Sequence, residues 1–374
     1  MTPMNQFPRI PSVCIGIMRS EDTRNWISTN SACIPESGIS YTGIESVSRT
    51  DQEVGEVAPS AVLSSKPLQG VRSAADAEGA CMFIRRLDKR LHLWYGPLGP
   101  RWTPRGFLGR FHRMGLKKMV YRRKELIMRD RNDPDRVWRF CRYWQRTLIN
   151  KWNSREFAVK HACQVPEIYW CGCDLGQLPI DSIPDHYVIQ PIFGDTCNGV
   201  YLVADGHDYM TGEHFDKCQM KDRLISEFGE LAEFPVMVEE FVRSEKGEYR
   251  IPKEYRFHMF GDRVAILTVR ERSSRTKTTA HHFDPDWQPF PEAIIDSVPP
   301  GGSFVPPGCF DEMVACAKRL GTAFDTYVRI DFYASPNGPV FGEFSSVPGS
   351  GVGFTSYADQ YLGRVWDEVF PSRV

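Results

Sequence analysis

The stretch YVRIDFYASPNGPVFGEFSSVPGSG, residues 327–351, constrains the fold more tightly than any other part of the chain. Two alternating runs flank Pro336-Asn337-Gly338, a turn cluster whose glycine can supply a positive φ, and the pattern reads as an antiparallel hairpin. With residues 336–338 as a three-residue loop, Ser335 faces Pro339 and every other partner is fixed. Asp331 then falls opposite Glu343, Arg329 opposite Ser345 and Tyr333 opposite Phe341. Ile330, Phe332, Val340 and Phe344, with Gly342, point to the other face and pack on a core. One face is thus apolar, while the other carries two carboxylates about 5 Å apart at Cβ. Like charges at that spacing repel unless something positive sits between them: Arg329, a bound cation, or both. Oxygen donors without Cys or His nearby suit Mg²⁺, which keeps waters and completes its shell with substrate phosphates. The alternative is that Arg329 neutralises both acids and nothing binds.

Composition sets few further limits. The chain has 374 residues, 41% apolar and 25% charged, which is ordinary for a globular protein with room for more than one domain. No run of about 18 apolar residues marks a transmembrane helix, and MTPMNQFPRIPSVCIGIMRS lacks the basic-then-apolar order of a secretory signal. The 11 cysteines are odd in number and scattered, and Cys171-Gly-Cys173 is too close for a C-x-x-C clip, which points to free thiols in a reducing cytoplasm.

The net charge of −1 hides a segregation. Residues 101–155 hold 17 Lys+Arg against 4 Asp+Glu, whereas residues 156–374 hold 19 against 33. The basic block, centred on KKMVYRRKELIMRDR, suits an anionic membrane, polymer or substrate, or docks on the acidic remainder of its own chain. No stacking motif or nucleic-acid fold signature accompanies it, so no specific nucleic-acid partner is expected.

Three regions are expected. Residues 1–78, rich in Ser, Thr, Gly and acids, read as a disordered or loosely packed tail. Residues 79–149 form a basic, mainly helical segment, with Val137, Phe140, Cys141, Trp144 and Leu148 on one helical stripe. Residues 150–374 form an α+β domain. There an N-cap at Asn153 or Ser154 starts a short helix and a strand ends before Gly172. HYVIQPIF, GVYLVA and FPVMVEEFV are further strands, KEYRFHMFGDRVAILTVRER is a strand pair turning at Gly261-Asp262, and CFDEMVACAKRLGTAF is an amphipathic helix ending near Gly321.

Taken in order, several motifs add up. Asn150-Lys151 precedes the Pro-led strand Val165-Pro166-Glu167-Ile168-Tyr169, then SIPDHYVIQPIF, then Val236-Met-Val-Glu239-Glu240-Phe-Val242. Glu254-Tyr255-Arg256-Phe257 and HHFDPDW, downstream of Arg270 and Arg272, lead to Arg329-Ile-Asp331 and Gly342-Glu343-Phe-Ser345. From about Asn150 to Gly363 this resembles the ATP-grasp superfamily, and most closely its TupA-like branch, named for teichuronopeptide synthesis. The resemblance implies an ATP-grasp fold, with two α+β lobes holding nucleotide between them. It implies ATP and Mg²⁺ as cofactors and an ADP-forming carboxylate–amine ligase working through an acyl phosphate. The substrate would be an amino acid, peptide or sugar acid in cell-surface polymer or secondary-metabolite synthesis, and a homo-oligomer is compatible.

Carried onto this chain, the resemblance makes Asp331, Glu343 and Ser345 metal ligands and Arg329 the catalytic residue stabilising the intermediates. Lys151 would meet a phosphate. Gly194, Asp195, Thr196, Asn198 and Gly199 would close over the triphosphate through backbone N–H groups. Glu239, Glu240 and Val242 would form the adenine hinge, while Gln190, Glu254 and Arg256 complete the nucleotide site. Two positions depart from the family's pattern: Gln190 stands where a Lys ends the first phosphate strand, and Ser345 replaces an Asn. The missing charge at Gln190 keeps open a second reading, a degenerate pseudo-enzyme that binds nucleotide as scaffold or regulator. A third makes the basic block an anionic-polymer binder.

Overall fold

The computed structural model describes residues 106–113, 127–141, 143–194, 197–295, 298–302, 304–346, 348 and 353–371. The expected tail 1–78, and KKMVYRR in the basic block, lie outside the described residues. In chain order the elements begin with helices α1 (Phe107–Arg113) and α2 (Asp135–Trp138), a 3₁₀ segment Trp144–Ile149, and helix α3 (Lys151–Lys160). Strands β1 (Ile168–Asp174), β2 (His186–Pro191), β3 (Tyr201–Ala204) and β4 (His207–Asp208) follow, then helix α4 (Lys217–Phe228) and strand β5 (Leu231–Glu240). Strands β6 (Glu254–Phe260), β7 (Arg263–Arg272) and β8 (Thr278–Phe283), helix α5 (Phe310–Phe324), strands β9 (Tyr327–Ser335) and β10 (Gly338–Ser345), and helix α6 (Ser356–Val369) complete it.

The strands form two five-stranded antiparallel sheets, ordered β1-β5-β2-β3-β4 and β10-β9-β6-β7-β8. Each sheet buries one face under a helix whose apolar residues recur at helical spacing. On the first sheet, Met220 and Leu224 of α4 pack against Ile189, Val236 and Val238. On the second, Met313, Ala317, Leu320 and Phe324 of α5 pack against Phe257, Leu267, Ile330 and Phe332. At about 1.5–3 kcal/mol for each large apolar side chain taken out of water, these contacts fix which faces are left for chemistry. Among the described residues no helix is long and apolar enough to cross a membrane.

Local expectations needed four corrections. The stripe over residues 137–148 does not form one helix. It breaks after α2, and side chains of the broken segment tie it to the end of α5: Arg139 Nη2 donates to the Ala323 carbonyl (3.0 Å) and Gln145 Nε2 to the Phe324 carbonyl (3.1 Å). The N-cap of α3 is Asn150, whose Oδ1 accepts from the N–H groups of Trp152 (2.9 Å) and Asn153 (3.3 Å). Asn153 and Ser154 lie inside the helix, buried, and bond carbonyls of Ile127, Thr147 and Leu148. Strand β1 runs through Gly172 to Asp174, and α5 runs through Gly321 to Phe324. A Cβ at Gly321 would fall 2.1 Å from the Gly261 carbonyl oxygen, so this glycine is there for close helix-on-sheet approach rather than termination.

The hairpin differs in register as well. Gly338 pairs with Ser335, so the loop is the two residues Pro336-Asn337. Val340 therefore faces Tyr333 and Phe341 faces Phe332, until an irregularity between Phe341 and Glu343 restores the expected pairs Glu343–Asp331 and Ser345–Arg329. Phe341 joins Ile330, Phe332 and Phe344 in the cluster under α5, and Val340, buried as expected, lies outside that cluster. Gly342 makes the bulge sterically cheap: a Cβ there would meet the Tyr333 ring at 3.0 Å and the Asp331 carbonyl at 3.2 Å.

Candidate functional site

The registers of the second sheet align a polar row across five strands: Glu343 beside Asp331, Asp331 beside Arg256, Arg256 beside Thr268, and Thr268 beside His282. The next row holds Tyr333, Glu254 and Arg270. Their alternation with core residues along each strand places all of these on the face opposite α5.

Ion pairs knit the rows together. Arg329 grips Asp331 with two parallel bonds, Nε to Oδ1 and Nη2 to Oδ2, both 2.7 Å, and its Nη2 also reaches Glu343 Oε1 at 3.1 Å. Arg256 Nε lies 3.4 Å from Asp331 Oδ2 and donates to Glu254 at 2.7 Å. Arg270 approaches Glu254 at 3.8 Å. Of the two answers to the paired carboxylates, Arg329 therefore occupies the position between them, with Arg256 flanking.

Burial gives these charges leverage. It opposes ionisation of Glu254, yet Arg256 and Arg270 outweigh it and hold that carboxyl below its usual range. Loss of solvent and the neighbouring Asp331 raise the Glu343 carboxyl. Burial and Arg256 together lower Arg270 to about 10. Burial also keeps His258 neutral, driving it well below the ordinary imidazole range, and lowers His282 to about 4. His258 Nδ1 and Tyr327 Oη are 2.8 Å apart, which fixes the ring.

A second cluster belongs to the first sheet. Glu239, 8% exposed near the end of β5, accepts from Gln190 Nε2 at 2.5 Å. Burial raises its carboxyl to about 7 against the pull of Arg155 and Lys151. Lys151, at the start of α3, also opposes the rise of the Glu343 carboxyl. One ammonium is therefore felt by an acid from each sheet.

The remaining expected residues are placed as follows. Glu240 is exposed and accepts from the Glu167 N–H at 3.2 Å, while Val242 is buried just past β5. Gly194 and Asn198 are exposed in the loop joining β2 to β3; Asp195 and Thr196 lie outside the described residues. Gly199 has φ 66°, and a Cβ there would sit 2.5 Å from the Phe228 ring. Ser345 pairs with Arg329 in the register. Sequence reasoning missed Arg155, one more arginine in a basic block, whose guanidinium bonds the Pro166 carbonyl beside the Glu239 cluster. It also missed Tyr333, which register alone sets beside Glu254.

Whether these residues suit Mg²⁺ depends on charge. Among the described residues no group of three or more His, Cys, Asp or Glu converges as a metal cage, and both Asp331 oxygens are engaged by arginines. A polyphosphate changes that balance, because its oxygens compete for the same guanidiniums and release carboxylate oxygens. Asp331 and Glu343, with the Ser345 hydroxyl in the next register position, are then hard donors of the kind that holds Mg²⁺ jointly with phosphates. The donor set fits the metal as a metal–phosphate complex.

Residues 141–366 match the family model described as TupA-like ATPgrasp. The chain belongs to the TupA-like ATP-grasp family, and its two antiparallel sheets with their helices are the lobes of that fold. No curated protein matches it. Among solved structures it is similar to the D-alanine–D-alanine ligase of Bacillus anthracis, at 15% identity over 61% of this chain and 70% of that one, with a TM-score of 0.40. It is similar also to the D-cycloserine synthetase DcsG (12%, 61% and 73%, 0.37) and to the ATP-grasp ligase PsnB with a minimal precursor (12%, 62% and 63%, 0.36).

Proposed function

We propose that this chain is an ATP- and Mg²⁺-dependent ligase that joins a carboxylate to an amine and releases ADP and phosphate. The observation that carries the reading is the facing pair Asp331–Glu343 held by Arg329 at the end of a charged row. Arg329, packed and doubly hydrogen-bonded, is a preorganised donor for oxyanions that develop on an acyl phosphate and on the tetrahedral adduct of the amine. Arg256 adds a second fixed positive charge one strand away. Lys151 meets a phosphate oxygen as a point charge, in the field it shares with Glu239 and Glu343. Backbone N–H groups of the 194–199 loop cover the phosphates, and the chain from Glu239 to Val242 meets the adenine. Mg²⁺ held with the nucleotide supplies charge neutralisation between phosphate oxygens. The protein needs no covalent nucleophile. The acid is an amino acid, peptide or sugar acid used in a cell-surface polymer or secondary metabolite, and the reaction takes place in the cytoplasm.

Calorimetry with a non-hydrolysable ATP analogue, with and without Mg²⁺, tests the site. Micromolar, Mg²⁺-dependent binding that disappears in Asp331→Asn/Glu343→Gln supports it and justifies screening acids and amines for ADP release. Absence of binding in the wild type removes the ligase reading.

A second reading, a nucleotide-binding protein without turnover, is favoured by one observation: Gln190 is tied to Glu239 and brings no charge to the phosphate strand. Gln190→Lys separates the two. A working enzyme keeps or loses turnover, whereas a decayed site gains ATP affinity.

A further inference from the structure

Each of the two sheets has two edges, and an open strand edge is a row of backbone donors and acceptors ready to pair with another chain. Three of the four edges are closed from within the chain. At β4, Asp208 donates to the Glu213 carbonyl at 2.9 Å and His214 bridges to His207. At β8, Ala280 donates to the Pro299 carbonyl at 3.1 Å and accepts from the Gly301 N–H at 3.0 Å, and Phe290 donates to the His282 carbonyl at 3.2 Å. At β10, Phe341 donates to the Gln164 carbonyl at 2.8 Å. The fourth edge is β1, and among the described residues no segment bridges to its outer side.

The composition of β1 does not protect it either. Ile168-Tyr-Trp-Cys-Gly-Cys-Asp174 contains no Lys or Pro, the residues that usually blunt an edge, and its one charge is at the end. All seven residues are half-buried, although they include an isoleucine, a tyrosine and a tryptophan. The two register irregularities fall near the ends and leave Trp170, Cys171 and Gly172 in regular pairing with β5. Trp170 lies across Gly172, since a Cβ on that glycine would come within 2.8 Å of the ring. Charge is divided between the ends of the strand. Exposed Glu167 precedes it, and Glu240 joins it there by accepting the Glu167 N–H at 3.2 Å. At the other end Asp174 turns back on the Gly176 N–H at 3.0 Å. Just beyond, Lys221 of α4 donates to the carbonyls of Gly176 (2.7 Å) and Leu178 (3.1 Å), which fixes an ammonium without neutralising it.

We propose that β1 is the contact strand of a homodimer, pairing antiparallel with β1 of a second copy about a two-fold axis at Cys171. A contact of this kind needs a surface complementary to itself, and two features supply it. Trp170 falls opposite Gly172 of the partner subunit, so the bulkiest residue meets the position without a side chain. Glu167 falls opposite the turn held by Lys221 of the partner subunit, so unlike charges meet twice. Rotation about an axis normal to the sheet keeps both α4 helices on one face, and two five-stranded sheets join as one of ten strands. Ile168 pairs with Glu239 within the chain, so the shared edge lies one strand from the Glu239–Gln190 cluster. Seven residues a side make a small interface of the weak, transient class, and a micromolar dissociation constant is expected.

Sedimentation velocity of the full-length chain across the micromolar range, with hydrogen exchange read by mass spectrometry at the same concentrations, tests this. A monomer–dimer equilibrium is expected, with slower exchange in peptides covering 168–174 as dimer forms. Peptides covering β8, whose edge is closed internally, should not change. Glu167→Lys sets like charges opposite each other twice and should weaken the dimer about tenfold at low salt. Glu167→Lys/Lys221→Glu should restore most of that loss, and unchanged exchange in β8 shows that each variant is folded. A monomer at every concentration overturns the proposal, and constant protection of β1 in that monomer assigns the edge to another part of the same chain. A dimer in which β1 exchange does not follow concentration overturns it too, because the contact then lies elsewhere. Dimerisation of Glu167→Lys with wild-type affinity overturns the register about Cys171.

Discussion

Glu239 illustrates how one buried side chain ties stability to pH. Burial lifts its carboxyl from 4.5 to about 7, with Arg155, Lys151 and Gln190 opposing the rise. Between these values the folded chain holds a proton that the unfolded chain has released, so stability falls as pH rises through this window and is level above it. The ionised form costs up to about 3 kcal/mol at pH 8, from the size of that shift. Glu239→Gln, which still accepts from Gln190, should therefore be more stable than the wild type in urea at pH 8 and nearly equal to it at pH 5. A wild type whose stability does not change between pH 5 and 8 would show that Glu239 is ionised throughout. At this scale the sequence identified the types of group but not their states. The pairing of Asp331 with Glu343 was expected from alternation and a three-residue loop and is reached through a two-residue loop and a bulge, whereas the raised carboxyl of Glu239 depends on solvent exclusion by residues distant in the chain.

At the scale of elements, Gly321 shows why helix α5 does not stop where its sequence suggests. Alanine has higher intrinsic helix propensity by about 1 kcal/mol, so an isolated helix would gain from Gly321→Ala. Its Cβ, however, would lie 2.1 Å from the Gly261 oxygen and 3.2 Å from Met259 Cβ. The helix must then move off the β6–β7 turn. Net destabilisation of about 2 kcal/mol, typical of overpacking, is expected as a lower urea midpoint with unchanged slope. The hairpin follows the same principle. Its turn residues allowed both a two-residue and a three-residue loop, and the bulge at Gly342 let the shorter loop coexist with the carboxylate pairing. Alternation is readable from sequence, but a bulge arises from close contacts with Tyr333 and Asp331 that no local pattern records.

At the scale of the whole molecule, the segregated charge is partly reconciled within the chain. Arg110 of α1 pairs with Asp367 of α6, Nε to Oδ1 at 3.1 Å, and Arg131 pairs with the buried Glu156 at 2.6 Å. These described arginines of the basic block dock on the acidic remainder. Arg275, between β7 and β8, links the two sheets: its N–H donates to the Met210 carbonyl at 3.1 Å and its Nη2 to the Val200 carbonyl at 3.3 Å, beside the 194–199 loop. Arg275→Ala should speed hydrogen exchange in residues 200–210 while lowering global stability by only about 1 kcal/mol, the value of one such bond. Unchanged local exchange would show that the backbone bond alone holds the connection.

By itself the sequence determined the α+β class, eight of the ten strands (all but β4 and β8), the family and the acid pair, because side-chain periodicity, turn chemistry and motif order are local properties. Tertiary structure decided that Arg329 and Arg256 answer those acids and that Lys151 acts on an acid from each sheet. Each of these is a meeting of residues far apart in sequence. Their positions are set by sheet register and by the packing of α3 and α5, and their charge states by the water that this packing removes.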